Sequence, residues 1–183
     1  MSRRAVFLDR DGTLNREVGY IGDPADLVLV AGVGEALRPL AAAGYALVVV
    51  SNQSAIGRGI FTAAQVDAVN ARLAAFLAAE GVLLDGIFVC PHAPAAGCDC
   101  RKPQPGLFLQ ARDALDLDLA GSWMVGDNAK DVAAARAAGV RPILVLTGWG
   151  TRDREAVQAD GLAAGDIVAN LGEAAARILA AAS

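Results

Sequence analysis

The chain has 183 residues, 55% of them hydrophobic but only 5% aromatic, and a net charge of −4. That length suits one domain with a substantial core, and the acidic balance argues against a general nucleic-acid binder, which needs a basic face. Its longest apolar stretch, Leu40 to Val50, is broken by Gly44 and stops at Ser51, short of the ~20 residues a membrane span requires. The start, MSRRAVFLDRDG, has too short an apolar run before Asp9 for a signal peptide, so a cytoplasmic protein without membrane partners is expected.

In chain order, strands are expected at Ala5–Asp9, Ala46–Ser51, Gly86–Cys90, Trp123–Asp127, Arg141–Leu146 and Asp166–Ala169. Helices are expected between them at Gly34–Ala43, Ala63–Glu80, Gly106–Leu115, Ala129–Ala138 and Leu171–Ala182. Thr62 and Gln65 form a capping box at the start of the second helix, satisfying free N–H groups of its first turn. Such alternation, with short continuous apolar strands, predicts an α/β fold: a three-layer, Rossmann-like parallel sheet covered by helices on both faces. No repeat or linker divides the chain, so 1–183 is expected to be one domain.

Polar residues gather where strands end: Asp9 and Asp11, Ser51 and Asn52, Cys90 and His92, then Asp127. Open parallel sheets bind ligands at that edge. Converging carboxylates at Asp9, Asp11 and Asp127 repel one another unless a cation neutralises them, and an all-oxygen set with room for a phosphate suits Mg²⁺. A carboxylate there can also attack phosphorus, and the second aspartate of the D-x-D turn can reach the leaving oxygen as acid and then base. Ser51 and the Asn52 main chain would donate to phosphate oxygens, and Lys102 would supply fixed positive charge. Asp131, one turn into the helix after Asp127, would support the metal from behind.

The segment CPHAPAAGCDC, Cys90 to Cys100, holds all three cysteines and the single histidine. Cys90, His92, Cys98 and Cys100 match a closed structural Zn²⁺ site, the alternative being a loop of free thiols with an incidental histidine. An ion there would stiffen a loop poor in packing side chains and so position Arg101 and Lys102, which follow it.

The motifs DRDGT, SNQ, RKP and GDNAKD together resemble those of the haloacid dehalogenase superfamily of phosphatases. The resemblance implies Asp9 as nucleophile, Asp11 as acid/base, Ser51 and Lys102 as phosphoryl stabilisers, and Asp127 on Mg²⁺ beside Asp9 and the Asp11 carbonyl. It also implies that the first and fourth strands are neighbours. Gly12 to Val33 leaves room for a flap and no large cap domain.

Two zinc-loop groups of that superfamily carry CDCRKP: phosphatases of histidinol phosphate and of D-glycero-D-manno-heptose 1,7-bisphosphate. SNQSAIGRGIF (Ser51 to Phe61) and NREVGY (Asn15 to Tyr20) resemble the heptose group. They imply Asn15, Glu17, Tyr20, Asn52, Gln53 and Ser54 as substrate-binding residues, and removal of the 7-phosphate on the way to nucleotide-activated heptose. A second phosphate needs cations, for which Arg101 is well placed, with Arg58 a further candidate unless it is a solvated loop arginine. Asn128 stands where the heptose group often has lysine, which puts affinity and substrate choice at that position in doubt. Histidinol-phosphate hydrolysis and a catalytically silent zinc-stabilised binding module are the competing readings. No dimer signature is present, and a monomer acting on a small phosphorylated sugar is expected.

Overall fold

Side chains alternate between two apolar layers along each strand of the computed structural model, which describes residues 2–181. In β1 (Arg3–Leu8) Val6 and Leu8 face one layer, Ala5 and Phe7 the other. In β2 (Ala46–Asn52) Leu47 and Val49 join the first, while Ala46, Val48 and Val50 join the second. Helices α1 (Val33–Ala42), α3 (Ala63–Ala79) and α7 (Leu171–Ala180) bury Leu37, Leu73 and Ile178 in the first layer. Helices α4 (Gly106–Leu115) and α5 (Ala129–Ala137) bury Phe108 and Ala135 in the second. A period of two with both faces covered produces the continuous apolar strands of the sequence.

The sheet is parallel throughout, in the order β3-β2-β1-β4-β5-β6. Its other strands are β3 (Gly86–Cys90), β4 (Leu117–Gly126), β5 (Arg141–Val145) and β6 (Ile167–Val168). The chain runs outward from β1 through β2 to β3, then returns to β4 on the other side of β1. This reversal parts the loops after β1 and β4 and opens a crevice there. Leu8 pairs with Val125 and with Val49, so Asp9, Asp127 and Ser51 leave the sheet at nearly one level.

Some elements differ from expectation. Strand β4 begins at Leu117, six residues early, because Leu117 and Asp118 pair with Arg3 and Arg4 ahead of a register shift. Helix α6 (Gly150–Ala159) fills a stretch given no element from the sequence; it buries only Gly150 and Val157, too few for a helical apolar stripe. One turn, α2 (Ser54–Gly57), follows β2. The expected end of the last helix, Ala182, lies outside the described residues. Between Asp9 and Gly32 the chain makes a 3₁₀ turn at Pro24–Asp26 and isolated bridges at Asn15, with no α-helix or multi-residue strand.

Candidate active site

Lys102 is the hub of the crevice. Its ammonium reaches Asp9 Oδ1 at 2.9 Å and Asp131 Oδ1 at 2.6 Å, and donates to the Val50 carbonyl at 2.7 Å. Asn52 sets it there, its side-chain amide bonding both the N–H and the carbonyl of Lys102 at 3.0 Å. Lys102 is 2% exposed, so removing either carboxylate would strand a buried charge. Burial alone would lower the Lys102 pKa, but Asp131 and Asp9 outweigh it and raise it above the ordinary lysine range. Burial, reinforced by Asp131, pushes the Asp9 carboxyl up to about 7 against the pull of Lys102.

Asp11 stands apart from that group, held by three neighbours. Arg10 donates to both its oxygens at 3.0–3.2 Å, Asn15 Nδ2 to Oδ1 at 2.9 Å and Gln53 Nε2 to Oδ2 at 2.8 Å. Gln53 Nε2 also donates to Ser51 Oγ, leaving the hydroxyl proton free to donate elsewhere. Arg10 is fully buried and anchored by Asn70 Oδ1 of α3 at 3.0 Å. The central residue of the D-x-D turn is therefore a clamp for the second aspartate. The sequence held no sign of it, because Asn70 lies 60 residues away.

Asp127 is 1% exposed and accepts the Trp149 N–H at 2.7 Å on Oδ2. Gly12 (φ +82°) and Gly148 (φ +51°) press against it; a Cβ on either would collide with its carboxylate. Gly12 thus serves twice, turning the chain after Asp11 and leaving space for Asp127. Burial, and then the charge of Asp9, push Asp127 up to about 8, against the pull of the Trp149 N–H. Oxygens of Asp9, Asp127 and Asp131 lie within 4.8 Å of one another, a hard-donor cluster that Lys102 balances only in part and that suits Mg²⁺. Asp131 Oδ1 is engaged by Lys102, and Oδ2 accepts the Asn128 N–H in the capping box of α5.

The thiol cluster hangs from the end of β3. Its ligand atoms also lie within 4.8 Å of one another: Cys90, Cys98 and Cys100 sulfurs at 3.1–3.7 Å, and His92 Nδ1 at 3.2 Å from Cys100 and 3.6 Å from Cys90. Four ligands around tetrahedral Zn²⁺ would sit about 3.5–3.8 Å apart, so the residues present fit that ion. Burial pushes Cys100 up to about 12 and raises Cys90. At Cys98 the burial effect is outweighed by the Arg101 N–H and the neighbouring thiols, and the pKa falls.

The catalytic cavity, of about 190 Å³, is lined by Asp9, Asp11, Ser51, Lys102 and Asp127 among others. Glu17, Tyr20, Asn52, Gln53, Arg101 and Asn128 also line it. Ser54 and Asn15 do not; they act behind it, Ser54 Oγ bonding the Tyr20 hydroxyl at 3.2 Å. Glu17 bonds the Gly19 N–H within the flap, and Asn128 caps α5 at the Lys130 N–H. Arg58 is exposed at the end of α2 and lines no part of this cavity, so the structure separates it from the others. Three lining residues were not among the expected site residues: Gly19, Lys130 and Trp149. Lys130, two positions beyond Asn128, makes no ion pair within 4.0 Å among the described residues, and neither does Arg101.

The family model described as HAD-hydrolase-like matches residues 99–174. A D-glycero-beta-D-manno-heptose-1,7-bisphosphate 7-phosphatase of Escherichia coli is 49% identical over 152 residues, 79% of this chain and 80% of the relative. The enzyme of that name from Haemophilus ducreyi is 44% identical over 178 residues, 93% of this chain and 94% of the relative. Among solved structures, the D,D-heptose 1,7-bisphosphate phosphatase of B. bronchiseptica, complexed with magnesium and phosphate, superimposes with a TM-score of 0.86 at 36% identity, covering 97% of this chain and 99% of that one. The chain belongs to the haloacid dehalogenase-like phosphatases, in the family of these relatives.

Proposed function

We propose that the protein hydrolyses the 7-phosphate of D-glycero-D-manno-heptose 1,7-bisphosphate through an aspartyl-phosphate on Asp9. The observation that carries the substrate class is the pair of cations without ion pairs, Arg101 and Lys130, beside the aspartates. A monophosphate needs only Lys102 and Ser51, whereas a second phosphate needs further positive charge. The relatives at 44–49% identity, all named for this reaction, support the same reading.

An Asp9 carboxylate oxygen attacks phosphorus, and the bond from phosphorus to the sugar oxygen breaks. Asp11 gives its proton to the departing oxygen, then takes one from the water that attacks the aspartyl-phosphate, releasing inorganic phosphate and restoring Asp9. Arg10, Asn15 and Gln53 hold Asp11 in place for both transfers. Lys102 and the Ser51 hydroxyl bind non-bridging oxygens as charge moves onto them. Mg²⁺, held by Asp9, Asp127 and the Asp11 carbonyl, would neutralise the carboxylates and draw the phosphate in. Zn²⁺ on Cys90, His92, Cys98 and Cys100 would be structural, fixing the loop that leads into Arg101 and Lys102.

Histidinol phosphate is the second reading, since its amine calls for a carboxylate and Glu17 lines the cavity. Among the described residues no helix is long and apolar enough to cross a membrane. We take the active form to be a monomer, to be checked by light scattering. The deciding experiment is Mg²⁺-dependent phosphate release from the heptose bisphosphate and from histidinol phosphate at matched low concentrations. A large kcat/KM preference for the bisphosphate supports the proposal; preference for histidinol phosphate removes it.

A further inference from the structure

Half-exposed tryptophans are uncommon, and Trp149 is 44% exposed at the rim of the catalytic cavity. Its main-chain N–H is bonded to Asp127, beside which Gly148 also packs, and the Arg152 guanidinium stacks 4.5 Å from the ring centroid. The Arg152 guanidinium is in turn tied to Asp153 at 2.6 Å. The main chain of Trp149 is thus fixed relative to the reaction centre, and its indole has one face covered by Arg152 and the rest available. It also walls a second, mainly apolar hollow of about 780 Å³, between the flap at Glu17–Gly19 and the loop at Thr147–Trp149. Val18 (62% exposed) lines that hollow and Tyr20 (47%) lines the catalytic cavity, while Trp149 lines both, so these three large exposed apolar side chains border two hollows that share the indole.

A phosphate needs none of this apolar surface. A pyranose ring does, because its axial C–H groups make an apolar face that packs on a flat aromatic, while its hydroxyls remain free for polar partners. Arg101 and Lys130 line the cavity as cations fit for a charged group. Resting on the sugar-phosphate reading above, we infer that Trp149 is a specificity-determining residue whose indole packs against the carbohydrate body of the substrate. The Arg152 stack favours one placement of the ring, which lessens the freedom lost on binding.

Tryptophan emission provides a direct test, since the chain has two tryptophans and Trp123 is only 4% exposed. In an Asp9→Asn background with Mg²⁺, the heptose bisphosphate is expected to change the emission and inorganic phosphate to leave it unaltered. Trp149→Phe should abolish the change. In the active enzyme, Trp149→Ala is expected to raise KM for the bisphosphate about tenfold with kcat within twofold, and Trp149→Phe to restore most of it. Turnover of acetyl phosphate, which has no ring to stack, should be unaffected. Unchanged KM for the bisphosphate in Trp149→Ala overturns the inference, as does an emission change with inorganic phosphate alone. An equal loss of kcat on acetyl phosphate also overturns it, because the indole would then serve the reacting phosphate or the shape of its loop and not the sugar. A wild type that ignores the heptose bisphosphate sinks the functional reading and this inference with it. A wild type that hydrolyses it alongside an unaltered Trp149→Ala sinks the inference alone.

Discussion

The carboxylate cluster and the thiol cluster both begin at strand ends and are joined by a single step of chain, Cys100 to Lys102, yet they handle charge in opposite ways. Asp9 and Asp131 share Lys102, and Asp127 has a main-chain N–H, so much of that site is balanced by the protein itself. The thiols and His92 contact chiefly one another, with the main-chain N–H of Arg101 as a further partner of Cys98. A site that must bind and release phosphate works best when its cation adds to a balance already begun. A structural site can leave all its balance to the ion, because that ion need never exchange.

The sharpest way to break this contrast is Asp9→Asn. Phosphate release should fall by roughly 10³-fold or more while the circular dichroism spectrum stays native, since a nucleophile is lost and little packing changes. Retained turnover would mean that the carboxylates are only a metal cradle. Next, Lys102→Ala should lower kcat at least ~10²-fold and destabilise the fold by about 3–5 kcal/mol in urea unfolding, because it strands two carboxylates in a buried place. Stability equal to wild type would show that the carboxylates do not depend on this cation.

Stripping the thiol site is expected to act at a distance. Elemental analysis should find about one zinc per chain, and Cys98→Ser or prolonged chelation should lower Tm and reduce activity in a way that added Mg²⁺ does not restore. A metal-free chain with unchanged Tm would leave the cluster as free thiols. Lys130→Ala should raise KM for the bisphosphate about tenfold and leave acetyl phosphate turnover unchanged, the loss of one charge-assisted contact. Equal effects on both substrates would assign Lys130 to the reacting phosphate instead.

The smallest effect is one of pH. Asp9 and Asp127 are raised to about 7 and 8 from an ordinary value near 3.8, so the folded chain holds their protons more tightly than the unfolded one. Their contribution to stability is complete below pH ~4 and is lost as pH rises through 7 to 8. Without Mg²⁺, Tm should therefore decline over that window, and added Mg²⁺ should raise Tm more at pH 8 than at pH 5. A Mg²⁺ effect that is flat with pH would count against metal binding at these carboxylates.

The residues that read clearly from the sequence carry local signals. Strands show as apolar runs, the α3 cap as Thr62 and Gln65, the thiol cluster as Cys and His residues in one short segment, and the carboxylate cluster as acidic residues at strand ends. That the first and fourth strands are neighbours followed from the family resemblance, whereas the full strand order and the register of Leu8 with Val125, which sets the levels at which Asp9 and Asp127 emerge, came from the structure. Helix α6 was illegible because it lies on the surface and buries almost nothing.

What the tertiary structure alone decided is which side chains converge from far along the chain. Arg10 meets Asn70 across 60 residues, Lys102 meets Val50 across 52, and Trp149 meets Asp127 across 22. Such contacts leave no periodicity or spacing to read, since each is fixed by how elements distant in the chain pack beside one another. The same packing left Arg58 in solvent and turned Lys130 and Trp149 toward the cavity. The sequence alone determined the chemistry available at the crevice, because motif residues carry it locally. Only the fold decided which charges are shared and which surfaces meet the substrate, because those depend on distances that local sequence does not encode.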